Sequence, residues 1–598
     1  MSDAEVTTPA WWRRPWVIDW TITLLLVVIY TGALLNSVHN LGYARDEGFY
    51  FEAADTYRHW FATLLDAPGN AFKQATVDRY WRTNHEHPAL IKSLFALSRA
   101  LLADAVHLFR EPGTSYRFVG MALTSGAVGV IYNWGRRAFV LTAGMVVGRI
   151  AAVVAALSFA LMPQIFFHAH LACFDMPIVA MWVFTSYAYW RSLEGGWRKA
   201  VVCGLLYGLM LNTKHNSWLL PFPLVAHCFW FRGAALLVEL RKWRLLAALK
   251  LIPAALWAML LIGPLVFFAT WPWIWFDTFR RLAEYVHFHT QHVYYNIEFL
   301  GETYFEPPFP RSYAPLMTLA TVPAVTLCLA AWGTGRAILA ELRAKADWLG
   351  ALRRDGFWRS LEPELQATES AAPPLSSAPA RSERSTAGLW LLFILSSYAP
   401  WFSNASPIFG GTKHWTTAYP FIALLAGSAF VALCTAARAT FVEGVESVAQ
   451  RALPFALCAC VLISPLVITW HSHPWGLSTY TPIVGGAPGA ATLGLNRSFW
   501  GYTTGAIQDE INEQSPRGAK VFVHDTALQS WQMLVKDGRV RSDLRPQLGV
   551  ATSKIAIYHH EQHMSRVEHQ IWVDYGSVKP VDVGTFDGVP VIWLYKRP

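Results

Sequence analysis

The sequence predicts a polytopic α-helical membrane protein of about eleven transmembrane helices, with external amphipathic helices and a C-terminal α/β soluble domain. Three observations predict it. Of 598 residues, 54% are hydrophobic and only 15% charged, with a mean hydropathy of +0.28; soluble proteins carry roughly 25% charged residues. Long apolar runs recur, each near the roughly 20 residues that cross a bilayer as helix. Basic residues crowd into every second loop between those runs. This composition excludes a disordered chain.

The runs lie near 17–35, 116–134, 149–167, 174–190, 200–213, 216–231, 251–270, 313–332, 387–403, 415–435 and 452–470. Arg13 and Arg14 precede the first. Arg136 and Arg137 follow the second, Arg191, Arg198 and Lys199 the fourth, and Arg232, Arg241, Lys242 and Arg244 the sixth. Arg336, Arg343, Arg353 and Arg354 follow the eighth, and Arg438 and Arg451 the tenth. The intervening short loops hold little beyond Lys214 and Lys413. Lys/Arg-rich short loops stay in the cytoplasm, so the N-terminus is expected inside and the C-terminus outside. The run Pro88–Leu108 is interrupted by Lys92, Arg99 and Asp104 and reads as an amphipathic surface helix.

The spans form a domain of residues 1–470. Within it, 36–115 is an external loop where Tyr50, Ala53, Ala54, Tyr57, Phe61, Leu64 and Leu65 recur at helical spacing, the pattern of an interfacial helix. Residues 333–386 read as a cytoplasmic loop ending in an Ala/Pro/Ser-rich linker, Ala371–Ala380. Residues 471–598 read as an external α/β domain, with strand-like Val521–Asp525 and Lys554–Tyr558 and a hairpin turning at Asp587-Gly588. The seven cysteines give no disulfide framework and no zinc-type pair. The net charge of +9 fits cytoplasmic loops and anionic membrane lipid, and no nucleic-acid partner is expected.

Polar residues cluster in the external loops. The clusters are Arg45-Asp46-Glu47; Asn84-His85-Glu86-His87-Pro88 with Lys92; His168-Ala169-His170 with Asp175; Thr213-Lys214-His215-Asn216; Trp271-Pro272-Trp273 with Arg280, Arg281 and several His and Tyr; and Gly410-Gly411-Thr412-Lys413-His414. Each has a bland reading. Asp46, Glu47 and Asp175 suit helix N-termini, and Lys214 suits a snorkelling lysine. Together, on one side of the membrane, they suit transfer from a phosphate-linked lipid. A carboxylate takes the proton of an acceptor hydroxyl, and cations stabilise the departing phosphate.

In this order the motifs resemble the GT-C glycosyltransferases of the protein O-mannosyltransferase type, which include the lipid A aminoarabinose transferases. The resemblance covers about 1–435. It rests on Asp46-Glu47, His87-Pro88 with Lys92, Asp175-Met-Pro, Lys214-His215, Trp-Pro-Trp and Gly-Thr-Lys-His. It implies inverting transfer of a sugar from a polyprenyl-phosphate donor to a lipid, glycan or protein hydroxyl on the external face. It implies Asp46 as general base, with Glu47 and Asp175 as further carboxylates of the site. Lys214, Lys413 and Arg281 would hold the donor phosphate, and His87, His215 and His414 would shape the acceptor side. The resemblance implies no particular cofactor; a divalent metal ion on Asp46 or Asp175 stays open, because GT-C enzymes differ on this. The tail resembles bacterial members, which implies a bacterial inner membrane and a periplasmic C-terminal domain. Two other readings compete. One is a lipid or solute transporter or flippase, for which paired inverted repeats are wanting. The other is a metal enzyme using His559, His560 and His563, which lie beside a strand.

Overall fold

The computed structural model describes residues 14–359, 382–408, 410–441 and 448–598. The predicted linker Ala371–Ala380 lies outside them. Helix α1 (Pro15–Ser37) exposes Trp16, Trp20, Leu24, Val28 and Ile29, a face suited to lipid. On its other side Asp19 is buried, paired with Arg136 at 2.9 Å and Arg149 at 2.8 Å. Helix α2 (Arg45–Asp66) is the helix expected in the first loop, and it buries Tyr50, Ala53, Ala54 and Tyr57 as its spacing requires. Leu65 is exposed.

After α3 (Gln74–Trp81) comes α4 (Leu90–Ser98), the expected surface helix. It is buried more deeply than an interfacial helix, because α2 and the next helix enclose it. Lys92 is fully buried, and its Nζ donates to the carbonyls of Asn84 and His87. The lysine therefore clamps the loop ahead of its own helix. Pro112–Ala160 (α5) contains the second predicted span and most of the third, whose end lies in a separate short helix, Pro163–Ala169. It breaks at Gly144, whose φ of 72° no L-residue adopts cheaply. The two arms double back there: a Cβ on Gly148 would meet the backbone of Val140 at 2.7 Å.

Helices α6 (Asp175–Ser192), α7 (Trp197–Leu211), α8 (Pro221–Arg241) and α9 (Ala254–Ala269) continue the bundle. Then come α10 (Thr278–Thr290) and a small ribbon, β1 (Ile297–Phe299) with β2 (Glu302–Tyr304). The predicted span 313–332 is broken at Val322-Pro323, where proline forces the preceding residue out of helix. Helix α11 (Ala324–Arg359) restarts beyond it, so the region from 333 begins as helix rather than loop. Helices α12 (Glu383–Tyr398), α13 (Tyr419–Phe441) and α14 (Val448–Ser472) complete the set.

Among the described residues six helical stretches are long and apolar enough to cross a membrane, and a seventh if Leu245–Leu251 and Ala254–Ala269, bent by 80°, count as one. Of the predicted spans, α6, α7 and α12 fall outside that set. Two of them are short, with 15 and 16 residues. The third, α6, has the length but carries Asp175, Arg191 and several hydroxyl and aromatic side chains, which its neighbours bury on nearly every side.

The tail builds a five-stranded sheet of order β4-β3-β5-β7-β6 from β3 (Lys520–Val523), β4 (Arg545–Gln547), β5 (Ile555–His559), β6 (Asp582–Phe586) and β7 (Val589–Lys596). β3 runs parallel to β4 and β5, and β7 antiparallel to β5 and β6. Asp587 and Gly588 both take positive φ, as the tight hairpin turn between β6 and β7 demands. Helix α15 (Leu528–Lys536) packs on α2. Ser530 Oγ donates to the Ala44 carbonyl at 2.9 Å and Arg539 Nη1 to that of Leu41 at 3.0 Å. Tail and first loop therefore share one core.

That core centres on a buried ion pair. Glu47 accepts from Arg117 Nε and Nη2, each at 2.8 Å, and from the backbone N–H of Ala44 (2.8 Å) and Ala172 (2.9 Å). Removing one partner of such a pair strands the other charge, a loss of about 3–5 kcal/mol. Arg117→Ala is expected to lower the melting temperature of the detergent-purified protein sharply; an unchanged melting curve would show that the pair is not structural.

Candidate active site

A cavity of about 930 Å³ opens between the bundle and the tail. Its wall gathers Asp46, His87, Asp175, Lys214, His215, Lys413 and His414 from five separate stretches of sequence. Asp46 sits in the first turn of α2 and Asp175 in the first turn of α6. Lys214 and His215 lie at the break between α7 and α8, and Lys413 and His414 in a short 3₁₀ turn before α13. The breaks explain why these residues meet: each is a place where the chain leaves one helix at the same end of the bundle and enters another.

Lys214 Nζ is 2.6 Å from Asp175 Oδ1, with both side chains nearly buried. Lys413 Nζ is 3.9 Å from Asp46 Oδ2 and 3.9 Å from the ring centre of Trp500, a cation–π distance. Burial lowers the Lys413 ammonium from its ordinary value, while Asp175 and Asp46 hold it up. Gly410 and Gly411 both take positive φ, and the lysine stem runs across the Gly410 Cα where any side chain would sit. The glycines thus let Lys413 fold back to the cavity. His215 stacks on His289 at 4.2 Å between ring centres, and His87 lies 5.5 Å from the same ring. His414 packs on Trp401 at 4.6 Å.

Two predicted residues are placed elsewhere. Glu47 turns away from the cavity into its pair with Arg117, because residues one apart on a helix point about 100° apart. It holds the start of α2 and contacts nothing in the cavity. Arg281 is buried under α10, with Nη2 2.6 Å from Asp78 and its guanidinium 3.8 Å from the Trp273 ring centre. It does not line the cavity either, so neither direct participation in chemistry by Glu47 nor phosphate binding by Arg281 fits the geometry.

Residues 97–267 match the family model of the dolichyl-phosphate-mannose-protein mannosyltransferases. The match supports the resemblance to GT-C glycosyltransferases. It includes Asp175 and Lys214 but neither Asp46 nor Lys413. No curated protein matches the chain. Among solved structures, ArnT from Cupriavidus metallidurans bound to undecaprenyl phosphate is similar at 14% identity with a TM-score of 0.40, and the same protein in the apo state at 12% with 0.43. Each comparison covers 97% of this chain and 97% of the other.

The tail contributes cavity residues that sequence reasoning missed: Trp500, Asp525 and Glu561, with Glu298 from β1. A signal for Asp525 was present, since it stands two residues past the end of a strand that pairs in parallel, the end at which α/β sheets bind ligands. His559 and His560 do not join His563. His559 is buried against Thr503 at 2.7 Å, and His560 packs on Trp593. A three-histidine site is therefore not formed.

His289 Nε2 donates to the Glu86 carbonyl at 3.0 Å. Burial pulls its imidazole down to about 4, and burial also lowers His87. The folded state keeps these rings neutral, while the unfolded chain takes up protons near 6.5. Stability from this cluster is complete above about 6.5 and is lost as pH falls toward 4. The melting temperature is expected to drop over that window, and less steeply in His289→Gln; an identical slope in the variant would remove His289 from the effect.

Proposed function

We propose that this chain is a membrane glycosyltransferase that moves a sugar from a polyprenyl-phosphate donor to an acceptor hydroxyl, with Asp46 as general base. One observation carries the reading: Asp46, Asp175, Lys214 and Lys413, scattered over more than 360 positions of sequence, line one cavity. The family model over residues 97–267 supports the donor class.

The chemistry follows from the side chains. The acceptor oxygen attacks the anomeric carbon as the bond to the carrier phosphate breaks, which inverts that centre. Asp46 takes the acceptor proton. Lys413 and Lys214 face the phosphate as negative charge builds on it. Asp175 positions Lys214 through their 2.6 Å contact. Preset cations stabilise the leaving group more than mobile counterions would.

The lipid-facing helices and the basic loops favour a multi-pass membrane protein with its C-terminal domain outside the cytoplasm, and the resemblance of the tail to bacterial members favours a bacterial inner membrane with that domain in the periplasm. The acceptor is a lipid, glycan or protein hydroxyl.

Asp46→Asn keeps the shape of the side chain and removes the base. It is expected to lower transfer by about 10²- to 10⁴-fold, assayed with polyprenyl-phosphate sugars on a protein that still inserts and melts normally. Full activity would refute the assignment. A phosphatase fused after Pro598 is expected to report from outside the cytoplasm. A cytoplasmic signal would invert the topology and place the cavity on the wrong face.

A further inference from the structure

Away from the lysines, the cavity wall holds Glu298, Glu561 and His563. Their donor atoms all lie within 4.8 Å of one another. His563 Nδ1 is 3.3 Å from Glu298 Oε1 and 3.7 Å from Glu561 Oε2. Glu298 and Glu561 are buried, and the His563 side chain is only 9% exposed. The 3.3 Å separation is at the long end of a hydrogen bond; the His563 backbone N–H also donates to Glu298 Oε1 at 3.2 Å, and Asn296 Nδ2 donates to His563 Nδ1 at 3.1 Å, a donor that an ion on that nitrogen displaces. The separations of 3.3 and 3.7 Å match the edges of a coordination tetrahedron: ligands about 2.1 Å from one ion stand about 3.4 Å apart.

The charge count points the same way. Asp525 lines the same cavity, and its side chain is 5% exposed. One of its oxygens pairs with Arg45 at 2.9 Å, while the other, Oδ2, is buried without a partner. Three carboxylates thus share one arginine and one histidine. Buried charge of one sign is costly unless a counter-charge joins it. The unpartnered oxygen of Asp525 is an independent mark of a missing positive group.

We propose that Glu298, Glu561 and His563 bind a divalent metal ion, zinc or manganese by their nitrogen and oxygen donors, and that the ion pins the β1–β2 ribbon to the tail domain. Glu298 belongs to β1, whereas Glu561 and His563 follow β5, more than 260 residues later. Closing so long a loop is entropically expensive, and a metal clip offsets that cost. Three protein ligands leave a coordination position for water or for an anionic oxygen entering the cavity.

The test is metal content, which is independent of transferase activity. The full-length protein, purified in detergent with its affinity tag removed, is dialysed against zinc or manganese and then against metal-free buffer. Elemental mass spectrometry is expected to find close to one bound equivalent per chain. His563→Gln and Glu298→Gln are each expected to retain at least about tenfold less. Chelation is expected to lower the melting temperature of the parent, with recovery on adding the metal back. These measurements on the unmodified protein stand even where a variant fails to fold. A parent that retains neither metal, or a well-folded His563→Gln that retains as much as the parent, would overturn the proposal.

Discussion

The cavity depends on the pair between Glu47 and Arg117. Its four hydrogen bonds on one carboxylate join α2, α5 and the loop before α6. The same guanidinium also donates to the Leu41 carbonyl at 2.9 Å. Fixing Glu47 fixes the rotation of α2, and with it the direction of the next side chain back, Asp46. Fixing Ala172 places the loop that ends in Asp175. One buried ion pair therefore sets the position of two cavity carboxylates that it never touches. Its strength comes from complete hydrogen bonding, without which two buried charges would destabilise the fold.

Much of the helical frame could be read from the chain. Apolar runs long enough for a bilayer became helices, because backbone in hydrocarbon has no other way to satisfy its hydrogen bonds. The Asp587-Gly588 hairpin was legible for a similarly local reason, as only certain residues accept its dihedrals. What the chain concealed were relations between distant parts. Lys92 looked like a polar interruption on a surface helix, yet it is buried because loop carbonyls receive it. Asp46 and Glu47 were both expected at the site, as base and as further carboxylate, and only the packing of α2 shows that Asp46 alone of the two reaches the cavity.

The tail was the least legible part. Its strands carried clear signals, and Asp525 stood just past one of them, but nothing local showed that Glu561 and Trp500 would join it in completing a cavity begun by α2 and α6. The contact between Arg45 and Asp525, 480 residues apart, makes the point. Residue pairs of such separation leave no periodicity in a single sequence.

Arg45 is where the two halves of the cavity meet. It precedes Asp46 on α2 and pairs with Asp525 at the end of β3. On the Asp46 side, each carboxylate faces a lysine, so the charges nearly balance before anything binds. A phosphate arriving there must compete with Asp175 and Asp46 for the lysines. That competition keeps the cations preset yet exchangeable, since a lysine already satisfied by a carboxylate binds an anion less tightly and releases it more readily. On the Asp525 side, carboxylates outnumber cations, and that wall attracts positive charge. The cavity is polarised by its own architecture: lysines paired with carboxylates stand at the end nearest the bundle, and an excess of carboxylates at the end built by the tail.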